Sequence, residues 1–164
     1  FWTGNKVCSP AVSLDDDAAN RQRLGRPVIL WDNYPVNDGE VRSQRLYLSP
    51  LGEREPAFRD CLAGHLCNPM NQALLSLPAL IGLAQLYGDA TAAKQFVVDY
   101  LGAQTWKQLQ VDREEFVSVG LAAMGPERCA ELAQRYGSMP GAAAGEVAAW
   151  LRGEYAWDPA CLTG

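Results

Sequence analysis

Apolar and polar positions follow two regimes along this chain, and the change falls near residue 88. Before it, short apolar runs are separated by polar turns; after it, apolar residues recur at helical spacing. Pro27-Val28-Ile29-Leu30-Trp31 is a continuous apolar run, the pattern of a parallel strand covered on both faces. Ahead of it, Phe1 to Gly4 reads as the end of a strand. Ser13 is placed to cap a helix with Asp15, Asp16 and Asp17 in its first turn and Arg21 and Arg23 near its end, where each charge suits the helix dipole. Gly25 can close that helix. Strand, helix and strand within about 30 residues make one βαβ unit.

Asp32 to Asp60 is mostly loop, within which Leu46-Tyr47-Leu48 is either a short strand or packed loop. Gly64 to Cys67 predicts a short strand ending at Asn68-Pro69. A helix follows from about Asn71 to Tyr87, with Leu74, Leu77, Ile81 and Ala84 at helical spacing, a kink expected at Pro78 and a stop at Gly88. One helix is expected to begin near Asp89 and run through Phe96, Val97 and Tyr100. Another is expected to start at Asp112, with Glu115 completing a box-like cap. Gly125-Pro126 breaks the chain and puts Pro at a first helical position. Gly137 and Met139-Pro140-Gly141 then precede a last helix with Val147, Trp150 and Leu151. No fixed-period repeat is visible. The reading is α/β in residues 1–88 and an all-helical region in residues 89–164.

Composition narrows the class of function. At 164 residues, 48% hydrophobic and 20% charged, the chain can bury a real core and is not disordered. A net charge of −5 with scattered Lys and Arg gives no reason to expect a nucleic-acid partner. Cys61 to Gly88 carries no Asp, Glu, Lys or Arg, but its Asn68, Pro69, Asn71, Gln72, Ser76, Pro78 and Gln85 suit a buried helix rather than a membrane span. Five cysteines, Cys8, Cys61, Cys67, Cys129 and Cys161, have no CxxC pair and no His at metal spacing, so reduced thiols are expected and no metal or cofactor. A Cys61–Cys67 or Cys129–Cys161 bridge stays open. Opening on Phe1-Trp2-Thr3-Gly4, without initiator Met or signal peptide, the chain is expected to begin inside a strand of something longer, so its compartment is not read from that end.

In parallel β/α architectures functional groups collect beyond the C-terminal ends of strands. Three places qualify: Trp2-Thr3-Gly4, Asp32-Asn33 with the loop through Asn37-Asp38, and Asn68. Short amides and carboxylates beside Trp and Tyr form a polyol-binding set of residue types, although turns use Asn and Asp as well.

Trp31-Asp32-Asn33-Tyr34-Pro35-Val36-Asn37-Asp38 resembles the WDNYPVND segment of family 84 glycoside hydrolases, the β-N-acetylglucosaminidases that include O-GlcNAcases and bacterial enzymes labelled hyaluronidases. The resemblance extends to Trp2-Thr3-Gly4, to Leu48-Ser49-Pro50-Leu51-Gly52 with Arg54, and to Gly64 through Gln72, four segments in family order over about the first 88 residues. It implies the C-terminal portion, strands six to eight, of a (β/α)8 barrel followed by the helical region. It also implies substrate-assisted catalysis, in which the sugar's 2-acetamido oxygen attacks the anomeric carbon to form an oxazoline. The family's catalytic Asp-Asp pair follows the fourth strand, so it is expected upstream of this chain and no catalytic residue within it. By the same match, Asn33 resembles the amide near the reacting groups, Asp38 the carboxylate holding the 4- and 6-hydroxyls, Asn68 the amide bonding ring hydroxyls, and Trp31 a pocket wall. Gly39 departs from the family, where an aromatic is common, and Cys8 and Cys67 replace positions more often Val, Ser or Thr.

Other readings weigh against each site. Asn37-Asp38 fits a solvated Asx turn, and Asn33 and Asn68 fit strand-end caps. Asp15-Asp16-Asp17 reads as capping charge, His65 as a buried strand residue, and Trp106, Trp150 and Trp157 as core or interface. The implied partners are an N-acetylglucosamine-containing glycan or glycoprotein and either the missing barrel half or a second copy. The alternative function is a non-catalytic carbohydrate-related interaction module with an associating helical tail.

Overall fold

The structure, a computed structural model, describes residues 1–51, 54–88 and 90–158, the side chains of 90–94 excepted. The helix start expected at Asp89, Gly52 of the matched segment, and Cys161 lie outside the described residues.

The fold is mixed α/β and rich in helix. Strand β1 (Ile29–Asp32) and strand β2 (Gly64–Cys67) pair in parallel, from Ile29 opposite Gly64 to Asp32 opposite Cys67. On the other edge of β1, Trp2 makes one parallel bridge to Leu30, so the first expected strand is reduced to a single bridge. Between them, α1 (Leu14–Leu24) starts as its sequence dictates: the Ser13 hydroxyl accepts from the Asp16 N–H, three aspartates fill the first turn, and Gly25 ends it in the left-handed region. A smaller core of Val12, Leu30 and Phe58 seals α1 and the one-turn α2 (Phe58–Cys61) against one face of the sheet.

Leu46-Tyr47-Leu48 is packed loop. Leu46 and Leu48 are buried, and the Leu46 N–H donates to the Phe116 carbonyl at 3.0 Å. Pro78 does not kink a helix. The segment from Asn71 enters a 3-10 turn at Leu74–Ser76, and α3 (Leu77–Tyr87) begins there, so Pro78 sits in its first turn where a missing N–H costs nothing.

The helical part is α4 (Ala90–Leu101), α5 (Ala103–Glu114), α6 (Leu121–Gly137) and α7 (Ala142–Leu151). Asp112, expected to open a helix, instead lies in the last turn of α5. The buried face of α5 is Thr105, Leu109 and Asp112; two of its three residues are polar, so no apolar stripe marks the helix in the sequence. Asp112 accepts from Gln108 and from the Tyr136 hydroxyl, each at 2.9 Å, which meets the demand of a buried carboxylate. The Gly125-Pro126 break is present inside α6: Gly125 has φ 79°, and Pro126 restarts the helix. Trp150 is buried, its indole N–H donating to the Ser43 carbonyl at 3.0 Å, and Trp106 packs against the core.

The larger core runs across residue 88. Leu46, Leu48, Met70 and Leu75 share it with Val97, Leu109, Phe116, Tyr136, Val147 and Trp150. Glu146 on α7 reaches back to accept from the N–H groups of Leu74 and Leu75 at 3.0 and 3.1 Å, capping the turn that leads into α3. No helix among the described residues is long and apolar enough to cross a membrane.

Gly82 on α3 packs directly against the Leu51 backbone. A Cβ there would stand 2.3 Å from the Leu51 nitrogen, whose N–H donates to the Ala79 carbonyl. Gly82→Ala is therefore expected to destabilise the fold by about 1–3 kcal/mol through overpacking, measured by urea denaturation.

Candidate functional site

Alternation along the two strands sorts their side chains onto two faces. Leu30 and Asp32 of β1 point to the helix-covered face and are buried. Trp31 and Leu66, paired in register, lie on the opposite face and are 41% and 46% exposed. Two residues further on, just past the strand ends, Asn33 and Asn68 continue that open face. The Asn33 carbonyl oxygen accepts from the Trp31 indole N–H at 2.9 Å and from the Asn68 amide at 3.1 Å, and the Asn33 amide donates to the Val7 carbonyl at 2.7 Å. Trp31, Asn33 and Asn68 thus form one hydrogen-bonded chain. With both acceptor positions of Asn33 used, its second N–H is what it can offer a ligand, whereas Asn68 can both donate and accept.

Asp38 is exposed and stands outside this chain. Its neighbour Asn37 is buried. The Asn37 amide donates to Gln72 Oε1 at 2.8 Å and to the Arg45 carbonyl at 3.1 Å, and its oxygen accepts from the Asn71 N–H at 3.0 Å. Asn37 therefore ties the Asp38 loop to the segment that follows Asn68. Tyr34 turns to the other side, where its hydroxyl donates to the Ser49 carbonyl at 2.6 Å. Burial pushes that phenol up to about 12, so it stays a neutral donor. A cleft of about 390 Å³ opens beside Asn33 between the Cys8–Pro10 and Ser49–Leu51 segments, with Tyr34, Arg42 and Tyr47 on its walls.

Behind the amides lies a buried charge cluster that the sequence reading did not assemble. Asp32 receives a two-pronged contact from Arg54, Nε to Oδ2 at 2.7 Å and Nη2 to Oδ1 at 2.8 Å, with both side chains nearly inaccessible. Arg54 also donates to the Ser9 and Pro10 carbonyls at 3.0 and 2.8 Å. His65 places Nε2 3.1 Å from Asp32 Oδ2 and Nδ1 2.8 Å from the Tyr87 hydroxyl. Burial alone would raise the Asp32 carboxyl, but the His65 and Arg54 hydrogen bonds and the Arg54 charge outweigh it and hold the group below its ordinary value. One signal was available beforehand: an Asp closing a fully apolar strand needs a buried partner.

Asp32, His65 and Cys67 bring one potential metal-ligand atom each within 4.8 Å of one another. The donor set does not suit a metal. Both Asp32 oxygens are engaged by a guanidinium, and burial together with the Asp32 charge pushes the Cys67 thiol up to about 12, away from the thiolate a metal binds. The four described cysteines are free, Cys61 and Cys67 included.

Comparison with known proteins gives a consistent result. A family model described as beta-N-acetylglucosaminidase matches residues 1–111. Among solved structures, a mutant O-GlcNAc hydrolase of Thermobaculum terrenum superimposes with a TM-score of 0.61 at 26% identity, covering 94% of this chain and 41% of that one. CpGH84B superimposes with a TM-score of 0.60 at 19% identity, covering 92% of this chain and 33% of that one, a likeness of fold. The chain therefore spans well under half the length of either structure.

The Asp32–Arg54 pair generates a stability prediction. Asp32→Asn leaves a buried guanidinium uncompensated and is expected to cost about 3–5 kcal/mol at neutral pH, measured by urea denaturation. Because the folded carboxyl lies below its ordinary value of 3.8, the pair's contribution is full above that value and is lost as pH falls through the folded value. The gap between wild type and Asp32→Asn should accordingly be constant above about pH 5 and narrow below about pH 4.

Proposed function

The chain belongs to the beta-N-acetylglucosaminidase family, and from that premise we propose that it is the sugar-contacting, C-terminal portion of a glycoside hydrolase that removes terminal β-linked N-acetylglucosamine. Residues 1–88 then correspond to strands six to eight of a (β/α)8 barrel and residues 89–164 to a helical domain packed on it. One observation carries this reading. Neighbouring parallel strands present Trp31 with Asn33 and Leu66 with Asn68 on a single uncovered face, with the amides just past the strand C-termini. An apolar sheet face with open edges is what a barrel half offers to the rest of its barrel. The two matched structures being more than twice as long supports a parent that contains that rest.

In this reading the substrate's own acetamido oxygen displaces the leaving group, and the carboxylate pair that orients the acetamido and supplies the proton lies in the remainder of the parent. Asn33 offers its remaining N–H to the reacting end of the sugar. Asn68, able to donate and accept, suits a ring hydroxyl. Asp38, solvated and unengaged by the Asn33–Asn68 chain, can accept from two hydroxyls at once. Trp31 supplies the apolar wall. Terminal N-acetylglucosamine on a glycan or glycoprotein is the substrate class.

Two measurements test this. The full-length parent should hydrolyse an aryl N-acetylglucosaminide, while the 164-residue chain should show no turnover; clear turnover by the chain would refute the assignment of the acid/base to the missing part. In the full-length parent, Asp38→Ala should lower kcat/KM by about 10- to 100-fold, the loss of hydrogen bonds to a charged acceptor.

A further inference from the structure

We propose that the buried Asp32–Arg54 pair, braced by His65, is a positioning device that holds the Asn33–Asn68 amides in the geometry the sugar meets. The inference rests on the sugar-site reading of those two amides.

The Asn33 side chain is oriented by three bonds, to Trp31, to Asn68 and to the Val7 carbonyl. The third is the vulnerable one. Val7 is 73% exposed, on a turn whose own residues belong to neither core cluster. Among the described residues, two side chains tie that turn to the strand end. One is Asn33 itself; the other is Arg54, whose guanidinium takes the Ser9 and Pro10 carbonyls with the same group that grips Asp32. Within the turn, the Ser9 hydroxyl donates to the Lys6 carbonyl and accepts from its N–H, each at 2.9 Å, so the position set at Ser9 is passed to Val7.

The second limb acts through the strands. Asp32 and Asn33 are adjacent and point to opposite faces, so clamping the Asp32 carboxylate on the buried face fixes the direction in which Asn33 leaves the open one. The Asp32 carbonyl accepts from the Asn68 N–H at 2.9 Å, which sets the end of β2 against the end of β1. His65 bridges the same carboxylate to Tyr87 on α3. Arg54 thus joins the turn to the strand end from the buried side. Its own side chain is 2% exposed, so it acts through Asn33 and not on the sugar.

Arg54→Lys is the informative variant, since it keeps a cation against Asp32 but cannot span a carboxylate and two carbonyls. In the full-length enzyme it should lower kcat/KM for an aryl N-acetylglucosaminide by about 10- to 100-fold, mostly in kcat, as expected when a contact to the reacting end shifts by roughly an ångström. In an Asn33→Ala background the same substitution should cost no more than about threefold, because the group it positions is already gone. Equal losses in both backgrounds would mean a merely structural role and overturn the proposal.

A readout independent of turnover is the pair of side-chain amide resonances of Asn33 and Asn68 in the full-length protein labelled with 15N-asparagine. Arg54→Lys should shift both. Unchanged resonances in a folded variant would overturn the proposal even if the parent proved inactive, an outcome that by itself would count only against the glycosidase reading. Should Arg54→Lys not fold, His65→Asn, which leaves the ion pair intact, is expected to show the same coupling to Asn33 and the same resonance shifts at smaller size; a folded His65→Asn protein without either would also overturn it.

Discussion

A carboxylate at the end of a buried strand is the constraint from which much of the α/β part follows. Asp32 closes a run of apolar residues and points into the covered side of the sheet, where an unpaired charge would be untenable. Arg54 meets both of its oxygens, and His65 adds a third contact from the neighbouring strand. Arg54 comes from 22 residues away. Satisfying one charge therefore fixes where the long loop after β1 must return, and the spare donors of the same guanidinium fix where the turn before α1 must lie. A Lys in this place would balance the charge but not organise two carbonyls as well.

The pleat turns that constraint into a division of labour. On the covered face the matched segment spends Asp32 on the ion pair; Asn37 is likewise buried, bonding loop backbone and Gln72. On the open face it leaves Trp31 and Asn33, with Asp38 beyond. Trp31, Asp32 and Asn33 alternate between the two faces because successive side chains leave an extended backbone in opposite directions, whereas Pro35, Val36 and Asn37, beyond the strand, are all buried. Moving the segment by one residue would put Asn33 into the core and Asp32 on the surface, exchanging every role at once.

Local signals in the sequence match the structure where one residue settles the matter. Ser13, Gly25 and the Gly125-Pro126 break all act within a turn of themselves, and the apolar runs at 27–31 and 64–67 fall on the paired strands. The failures share a different cause. Helix α5 carries a buried face of Thr105, Leu109 and Asp112, so hydrophobic periodicity could not reveal it, and Asp112 was mistaken for a cap because its real partner, Tyr136, is 24 residues away. Pro78 kinks no helix because the helix starts later than its spacing predicts, after the 3-10 turn. At the site, strand-end position and family resemblance picked out Trp31, Asn33 and Asn68, which the fold brings into contact. The joining of Asp32 with Arg54 and His65 depends on loop closure, which no local pattern encodes.

The same long-range logic links the helical tail to the Asp38 loop. The segment from Ser43 to Leu48 is held only in part by local bonds, its Ser43, Arg45 and Leu48 N–H groups donating to the Gly39, Arg42 and Leu46 carbonyls. Its Ser43 carbonyl is taken by the Trp150 indole, its Leu46 N–H by the Phe116 carbonyl, and Leu46 and Leu48 sink into a core built largely by the helices. Arg45 in turn supplies a carbonyl to Asn37, next to Asp38. A path of direct contacts thus runs from Trp150 through this loop to the carboxylate assigned to the sugar. Local bonds leave the Ser43 carbonyl and the Leu46 N–H unmet, and distant partners satisfy both. The helices after residue 88 are therefore part of what shapes the open end of the sheet, and a version of the chain ending near that residue would lose the partners that keep the Asp38 loop in place.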